Sequence, residues 1–138
     1  MQNPLVPFND LSRIHKPIED KVINKIKNIV KKNSFILGEF VEEFEENFSN
    51  FTNSKYSISC GNGTDAIELV LRSLGIKAGD EVIVQANTFI ATALAVTRTG
   101  ATPVFVDCDS DYLINLDDIN KVITKKTKAI ISVNLYGQ

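Results

Sequence analysis

Residues 79–107 read GDEVIVQANTFIATALAVTRTGATPVFVD, and their pattern of apolar and turn-forming residues indicates the architecture. The apolar runs predict a strand at 81–85 and another at 103–107, and the residues between them predict a helix at about 88–98. Gly100 then ends this helix, because glycine is a poor helix former. A strand, a helix and a second strand in this order predict a right-handed crossover between parallel strands.

The same alternation continues on both sides of this stretch. A strand at 56–60 and a helix at 64–74 are predicted before it, and a helix around 116–123 and a strand at 128–133 after it. The sequence therefore predicts an α/β fold with a mainly parallel sheet and helices on both faces. Strands of such sheets are covered on both sides. We expect burial of three apolar runs: 82–84, 104–106 and 129–131.

The first part of the chain has a different pattern. Prolines and turn formers in residues 1–16 predict an extended lead-in, and apolar residues at three- and four-residue steps predict a helix that begins near Pro17. A second helix is expected after Gly38, and its phenylalanine stripe predicts packing in a core: Phe40, Phe44, Phe48 and Phe51. We expect residues 1–55 to form a lead-in with two helices and residues 56–138 to form the first βα units of a larger domain.

The composition is that of an ordinary globular protein. Of 138 residues, 43% are apolar and 23% are charged, which excludes a disordered tail, a collagen-like repeat and a disulfide scaffold. The formal net charge of -2 gives no positive field for nucleic acid. We found neither a secretory signal nor a membrane span, and expect a cytoplasmic protein that binds no membrane. Cys60 and Cys108 lack metal-ligand spacing, and Asp107 and Asp109 are expected to form a turn, so no metal site is predicted.

Residues 61–66, GNGTDA, lie between a predicted strand and a predicted helix. Small residues let a ligand approach the backbone, and the unpaired N–H groups at a helix start favour an anion such as a phosphate. The alternative is a tight turn in which Asn62 or Thr64 only caps the helix. Because a carboxylate would repel a phosphate, we expect Asp65 to turn towards the helix dipole or the solvent.

The same six residues satisfy Gly-x-Gly-x-x-Ala, the fingerprint of nicotinamide-binding Rossmann domains. That motif requires an acidic residue roughly 20 positions later, at the end of the next strand, to bind the ribose. Gln85, Ala86 and Asn87 occupy that place, and none of them is acidic. A Rossmann-like nicotinamide-binding domain therefore remains an alternative that lacks one of its expected residues.

Eight segments follow one another along nearly the whole chain: PFNDL at 7–11, FILG at 35–38, EEFE at 42–45, GNGTDA at 61–66, GDEVI at 79–83, TFIAT at 88–92, GATPVFVD at 100–107 and NLYGQ at 134–138. In order and spacing they resemble the DegT/StrS family of nucleotide-sugar aminotransferases. The resemblance implies a fold-type I transferase that uses pyridoxal 5'-phosphate (PLP). The chain would contain an incomplete part of that fold's large, PLP-binding domain.

The resemblance also implies roles for particular residues. Gly63 and Thr64 match the positions whose backbone binds the cofactor phosphate, and Phe89 matches an aromatic residue that packs on the pyridine ring. A core contact is the alternative role for Phe89. The lead-in and the turn at 35–38 would lie near the boundary of a homodimer. Residues there are candidates for substrate or partner contacts: Phe8, Asn9 and Phe35.

The implied reaction is transfer of an amino group, typically from glutamate, to a keto sugar attached to a nucleoside diphosphate. The Schiff-base lysine and the aspartate at the pyridine nitrogen lie farther along in complete members, so no catalytic residue is expected here and this part alone should be inactive. Asn134 stands where relatives often carry histidine. Two alternatives remain besides the nicotinamide domain: a PLP-dependent sugar dehydratase of the same family and an interaction module that keeps only the fold.

Overall fold

The structure is a computed structural model that describes residues 6–137. The chain divides into two compact units, with the boundary between Ser59 and Cys60, and each unit is described by itself. In the described range no helix is both long and apolar enough to cross a membrane.

The first unit is helical, with α1 at Ser12–His15, α2 at Glu19–Lys32 and α3 at Glu39–Thr52. The extended lead-in that the sequence predicts is wrong for 12–15, because the Asp10 carboxylate accepts hydrogen bonds from both the backbone N–H and the hydroxyl of Ser12 and starts a helical turn there. Residues 1–5 of that lead-in lie outside the described residues. The two longer helices agree with the prediction.

The phenylalanine stripe of α3 is not in a core. Phe44, Phe48 and Phe51 are all exposed, and they pack on one another, with ring centroids 5.6 Å apart for the first pair and 6.4 Å for the second. The expectation of core packing is thus wrong for these three rings. Phe40, the remaining residue of the stripe, is half-buried and lies next to α2, with the Lys25 and Lys32 ammonium groups 5.6 and 5.4 Å from its ring centroid.

The second unit holds one parallel sheet. Its elements are α4 at Gly63–Ser73, β1 at Glu81–Gln85, α5 at Ala91–Arg98, β2 at Thr102–Val106, α6 at Leu116–Val122, β3 at Thr127–Ile131 and a 3-10 turn at Leu135–Gly137. β2 and β3 both pair with β1 in parallel, which gives the order β2-β1-β3. The predicted α/β fold with a parallel sheet is confirmed.

One predicted strand does not form. Residues 56–60 have an alternating pattern, but they lie in no ladder of the described chain. A strand needs a neighbour for its N–H and C=O groups. Here the backbone N–H and the hydroxyl of Ser59 both donate to the Glu45 carboxylate instead, at 2.7 and 2.5 Å.

Helices cover both faces of the sheet, as predicted. Because β2 and β3 lie on opposite sides of β1, the two crossovers run in opposite directions, and right-handed crossovers then place their helices on opposite faces. Val82 and Val84 pack with residues of α4 and α5, whereas Ile83 packs with Ile119 of α6. The core is therefore centred on β1.

Burial on both faces holds only for that central strand. The runs 104–106 and 129–131 belong to edge strands, and Phe105 and Ile130 are about half exposed. The expectation of burial is wrong for these two side chains. An edge strand has a neighbour on one side only, so the flanking helices of this unit cover it incompletely.

Candidate functional site

The start of α4 presents two backbone N–H groups that no described residue accepts. Asn62 caps the helix, since its side-chain oxygen accepts the Asp65 N–H at 3.0 Å and its carbonyl accepts the Ala66 N–H at 3.0 Å. The N–H groups of Gly63 and Thr64 remain free among residues 6–137. Capping by Asn62, which the sequence analysis raised as an alternative, therefore occurs together with a free donor pair.

The two glycines of this turn have different surroundings. A methyl group added at Gly63 would meet nothing within 4 Å, so its backbone is open to a ligand. At Gly61 the same group would lie 2.9 Å from a carboxylate oxygen of Asp65, which is closer than real contacts. Gly61 accommodates the cap, and Gly63 leaves the donor pair accessible.

Asp65 pairs with a cation that the sequence analysis did not identify. One of its oxygens lies 3.2 Å from the Arg98 guanidinium, and the other accepts a hydrogen bond from the Asn62 amide at 2.9 Å. Arg98 also lies 3.5 Å from Glu68. The carboxylate next to the free N–H groups is thus balanced by positive charge instead of facing the helix dipole or solvent alone.

Phe89 lies in the turn between β1 and α5. Its side chain is 75% exposed and belongs to neither core cluster of the unit. The turn is held by bonds of its neighbours: Ala86 N–H to Val106 C=O at 2.8 Å, and Thr88 N–H to Ala86 C=O at 3.1 Å. A core contact, the alternative role for Phe89, does not occur in the described chain.

Topology directs Phe89 and the start of α4 to the same edge of the sheet. The turn containing Phe89 follows the carboxyl end of β1. α4 packs on the sheet and is joined by a short segment to the amino end of β1, so its first turn points towards the opposite, carboxyl edge. Ligands of open parallel sheets bind at this edge.

The acidic residues after β2 form a turn, as predicted. One oxygen of Asp109 accepts the N–H groups of Asp111 and Leu113 at 2.9 and 3.0 Å, and Asp107 accepts the N–H of Cys108 at 2.8 Å. No cluster of three potential metal ligands occurs within the residues described.

Sequence analysis did not assign a role to Gln85, the last residue of β1. Its side chain is 0% exposed, and its amide nitrogen donates to the carbonyls of Asn87 at 3.1 Å and of Tyr112 at 2.6 Å. Its amide oxygen has no partner in the described range. A glutamine that directly follows the apolar run Val82–Val84 was the available signal.

The remaining candidates lie in the first unit. Phe8 and Asn9 precede α1, Phe35 lies between α2 and α3, and all three are exposed. They belong to a different unit from Gly63, Thr64 and Phe89. Each of these two groups of residues is therefore described within its own unit.

Residues 16–138 match the DegT/DnrJ/EryC1/StrS aminotransferase family. Over 135 residues the chain is 42% identical to UDP-2-acetamido-2-deoxy-3-oxo-D-glucuronate aminotransferase of Pseudomonas aeruginosa, covering 97% of this chain and 38% of that protein.

Two solved structures share the fold. S. venezuelae DesV is 37% identical with a TM-score of 0.92, and the match covers 99% of this chain and 37% of that one. NtdA from Bacillus subtilis with bound cofactor PMP is 36% identical with a TM-score of 0.90, and the match covers 100% and 32%. The chain spans 36 to 38% of the length of the first curated relatives it matches. It belongs to the DegT/DnrJ/EryC1/StrS aminotransferase family, and its sheet is an incomplete fold-type I domain.

Proposed function

We propose that this chain supplies the cofactor-phosphate site of a PLP-dependent aminotransferase that transfers an amino group, from glutamate, to a nucleotide-linked keto sugar. The observation that carries the proposal is the free N–H pair of Gly63 and Thr64 at the start of α4, beside a glycine with open space. Membership in the aminotransferase family and the named relatives support the reaction class.

The residues at the start of α4 suit the phosphate group of PLP. The first N–H groups of a helix and the positive end of its dipole attract a phosphate. Asp65, the nearby carboxylate, is paired with Arg98, which reduces its repulsion of a dianion. The bound PMP of NtdA, the pyridoxamine counterpart of PLP, supports the same cofactor class.

Phe89 suits the ring of the cofactor because its side chain is exposed at the carboxyl edge of the sheet. An aromatic ring on the face of the pyridine would contribute about 1 kcal/mol beyond area burial and would exclude water from that face. When bound, PLP supplies an electron sink for the chemistry at the amino carbon. Within this chain, Gly63 and Thr64 bind the cofactor phosphate and Phe89 orients the cofactor ring. No lysine among the described residues is assigned the proton-transfer role.

The candidate substrate contacts lie in the first unit. We assign Phe8, Asn9 and Phe35 to contacts with the nucleotide sugar or with the second subunit of a homodimer. All three are exposed, which leaves them free for such contacts. Because the relatives are more than twice as long as this chain, these contacts concern the full-length protein that contains it.

The test of the function uses that full-length protein. Adding PLP is expected to produce an absorption band of the bound cofactor near the visible range, and glutamate is expected to remove it. Persistence of the band with glutamate, together with loss of water from a keto-sugar substrate, would indicate the dehydratase. Absence of the band, together with nicotinamide nucleotide binding at 61–66, would indicate the Rossmann alternative, which the family match disfavours.

Besides the N–H pair, we assign the hydroxyl of Thr64 to the cofactor phosphate. Thr64→Val keeps the shape of the side chain and its backbone N–H but removes this hydroxyl, so it tests that assignment. We expect weaker PLP binding by about tenfold or more, because one hydrogen bond to a charged group contributes roughly 1.5–3 kcal/mol. Thr97→Val is the matched control, because the Thr97 hydroxyl donates only to the Leu94 carbonyl in α5. Equal PLP affinities of the two variants would contradict the assignment of Thr64.

A further inference from the structure

Gln85 lies where the connections that follow two neighbouring strands leave the sheet towards opposite faces. It ends β1, and β2 lies directly beside β1, while the helices that follow these two strands cover opposite faces. Neighbouring strands whose connections diverge in this way open a crevice at their carboxyl ends, where ligands of α/β sheets bind. The wholly buried amide of Gln85 lies at this crevice.

The amide joins the two turns that border the crevice. One hydrogen bond goes to the carbonyl of Asn87, in the turn after β1, and the shorter one goes to the carbonyl of Tyr112, in the turn after β2. Tyr112 has a φ of 63°, a left-handed conformation that is costly for a residue with a side chain. The bond from Gln85 to its carbonyl helps to hold it there.

Burying this amide is expensive. Its oxygen has no partner among residues 6–137, and an unpaired buried polar atom costs about 1–3 kcal/mol. The three residues before Gln85 are apolar and fully buried, so an apolar side chain would suit this strand better on burial alone. The two bonds to the turns are what distinguishes glutamine here from leucine or methionine.

We propose that Gln85 is a positioning residue of the cofactor site. It fixes the carbonyl of Asn87, two residues before Phe89, and thereby holds the turn in the conformation that presents the Phe89 ring at the sheet edge. The inference rests on the proposed function, in which Phe89 packs on the PLP ring. Binding of the phosphate by Gly63 and Thr64 does not depend on Gln85.

The test is a double-mutant cycle in the full-length protein, with PLP and inorganic phosphate as separate probes. Phe89→Ala is expected to weaken PLP binding about fivefold and to leave phosphate binding unchanged. Gln85→Met keeps the length of the side chain and removes both bonds, and is expected to weaken PLP binding by a similar factor with phosphate unaffected. In the Phe89→Ala background, Gln85→Met should then have little further effect on PLP binding.

The control is Val84→Ala, which removes buried volume from the same strand without touching either turn. It should lower the melting temperature and leave PLP affinity unchanged. Additive effects of the Gln85 and Phe89 variants, or equal losses for PLP and phosphate, would overturn the inference. A Phe89→Ala variant that binds PLP normally, or an unsubstituted protein that binds none, would overturn the proposed function itself and the inference with it.

A second variant keeps the test sharp if Gln85→Met does not fold. A buried glutamic acid at this position has a raised pKa, and its protonated form can still donate one hydrogen bond to a turn carbonyl. For Gln85→Glu we therefore expect PLP affinity relative to the unsubstituted protein to fall as the pH rises through the pKa of that carboxyl group. A ratio that stays constant with pH would overturn the inference.

Discussion

At the scale of single residues, neighbouring residues at the start of α4 have different roles. Asn62 caps the helix, Gly63 leaves the backbone open, and Asp65 is held between the Asn62 amide and the Arg98 guanidinium. A carboxylate so close to the proposed phosphate site would oppose an anion. Its pairing with Arg98 would let an acidic residue and the proposed phosphate site share one helical turn.

Arg98→Met should therefore weaken binding of PLP and of inorganic phosphate, by roughly two- to fivefold, as expected for a partly exposed ion pair worth about 0.5–1 kcal/mol. Isothermal titration of the full-length protein measures both affinities. The loss should disappear in an Asp65→Asn background, where no carboxylate needs balancing.

Arg72→Met is the matched control for Arg98. Arg72 pairs with Glu68 and donates to the Arg98 carbonyl, but makes no contact with Asp65 among the described bonds. Its removal should leave both affinities unchanged. An Arg98→Met loss that persists with Asp65→Asn would contradict the electrostatic explanation.

Glu45 gives the first unit a dependence on pH. The hydroxyl of Ser59, and then its backbone N–H, donate to the carboxylate and lower the pKa of Glu45. A lowered folded-state pKa contributes stability that is present above the unfolded value of about 4.3 and is lost as the pH falls through the folded value. The Ser59 amide resonance should shift in that acidic range as the bond is released. In a Glu45→Gln variant this titration should be absent, and its persistence would assign it to another group.

At the scale of elements, local patterns predicted most of the helices and strands. The helix predicted at 64–74 is observed at Gly63–Ser73, and the strand at 81–85 is observed with those bounds. α5 begins at Ala91, three residues later than expected, because residues 86–90 form a turn stabilised by the Thr88 N–H to Ala86 C=O bond. Apolar periodicity carries no information about such a turn.

α6 begins at a side-chain cap, Asn115. The Asn115 oxygen accepts the N–H groups of Asp117 and Asp118 at 3.0 and 3.3 Å. Asn115→Ala should lower the free energy of unfolding by about 1 kcal/mol. Asn120→Ala changes an exposed asparagine inside the same helix; it is the control and should not lower the free energy of unfolding, because alanine has the higher helix propensity. Chemical denaturation measures both, and equal losses would argue against the cap.

At the scale of the whole molecule, the second unit has its centre in one strand. Ile83 of β1 and Ile130 of β3 are register partners, yet the first is 0% exposed and the second 48%. Ile83→Ala should lower the free energy of unfolding by about 2–5 kcal/mol, the range for a buried aliphatic side chain. Ile130→Ala, the same chemical change one strand away, should cost much less. Similar losses in a denaturation experiment would contradict a core centred on β1.

The candidate site was predictable only in part, for a physical reason. Local pattern predicted a helix start at 61–66 with Asn62 or Thr64 as its cap, because a helix start is a local structure, and the resemblance to the family implied binding roles for Gly63 and Thr64. The contacts that shape the surroundings join distant parts of the chain: Arg98 and Asp65 are 33 residues apart, and Gln85 and Tyr112 are 27 apart. One sequence contains no signal for such pairs. Strand 56–60 failed for the same reason, since its pattern does not reveal whether a partner strand is present.

The strand order has a consequence for synthesis on the ribosome. Both neighbours of β1 come after it in the chain, and β3 comes last. The apolar Val82–Val84 run of a nascent polypeptide therefore leaves the exit tunnel before either of its neighbouring strands is available for pairing. Its second neighbour becomes available only when Thr127 and the residues after it emerge. During that interval this run is the part of the second unit most in need of a chaperone.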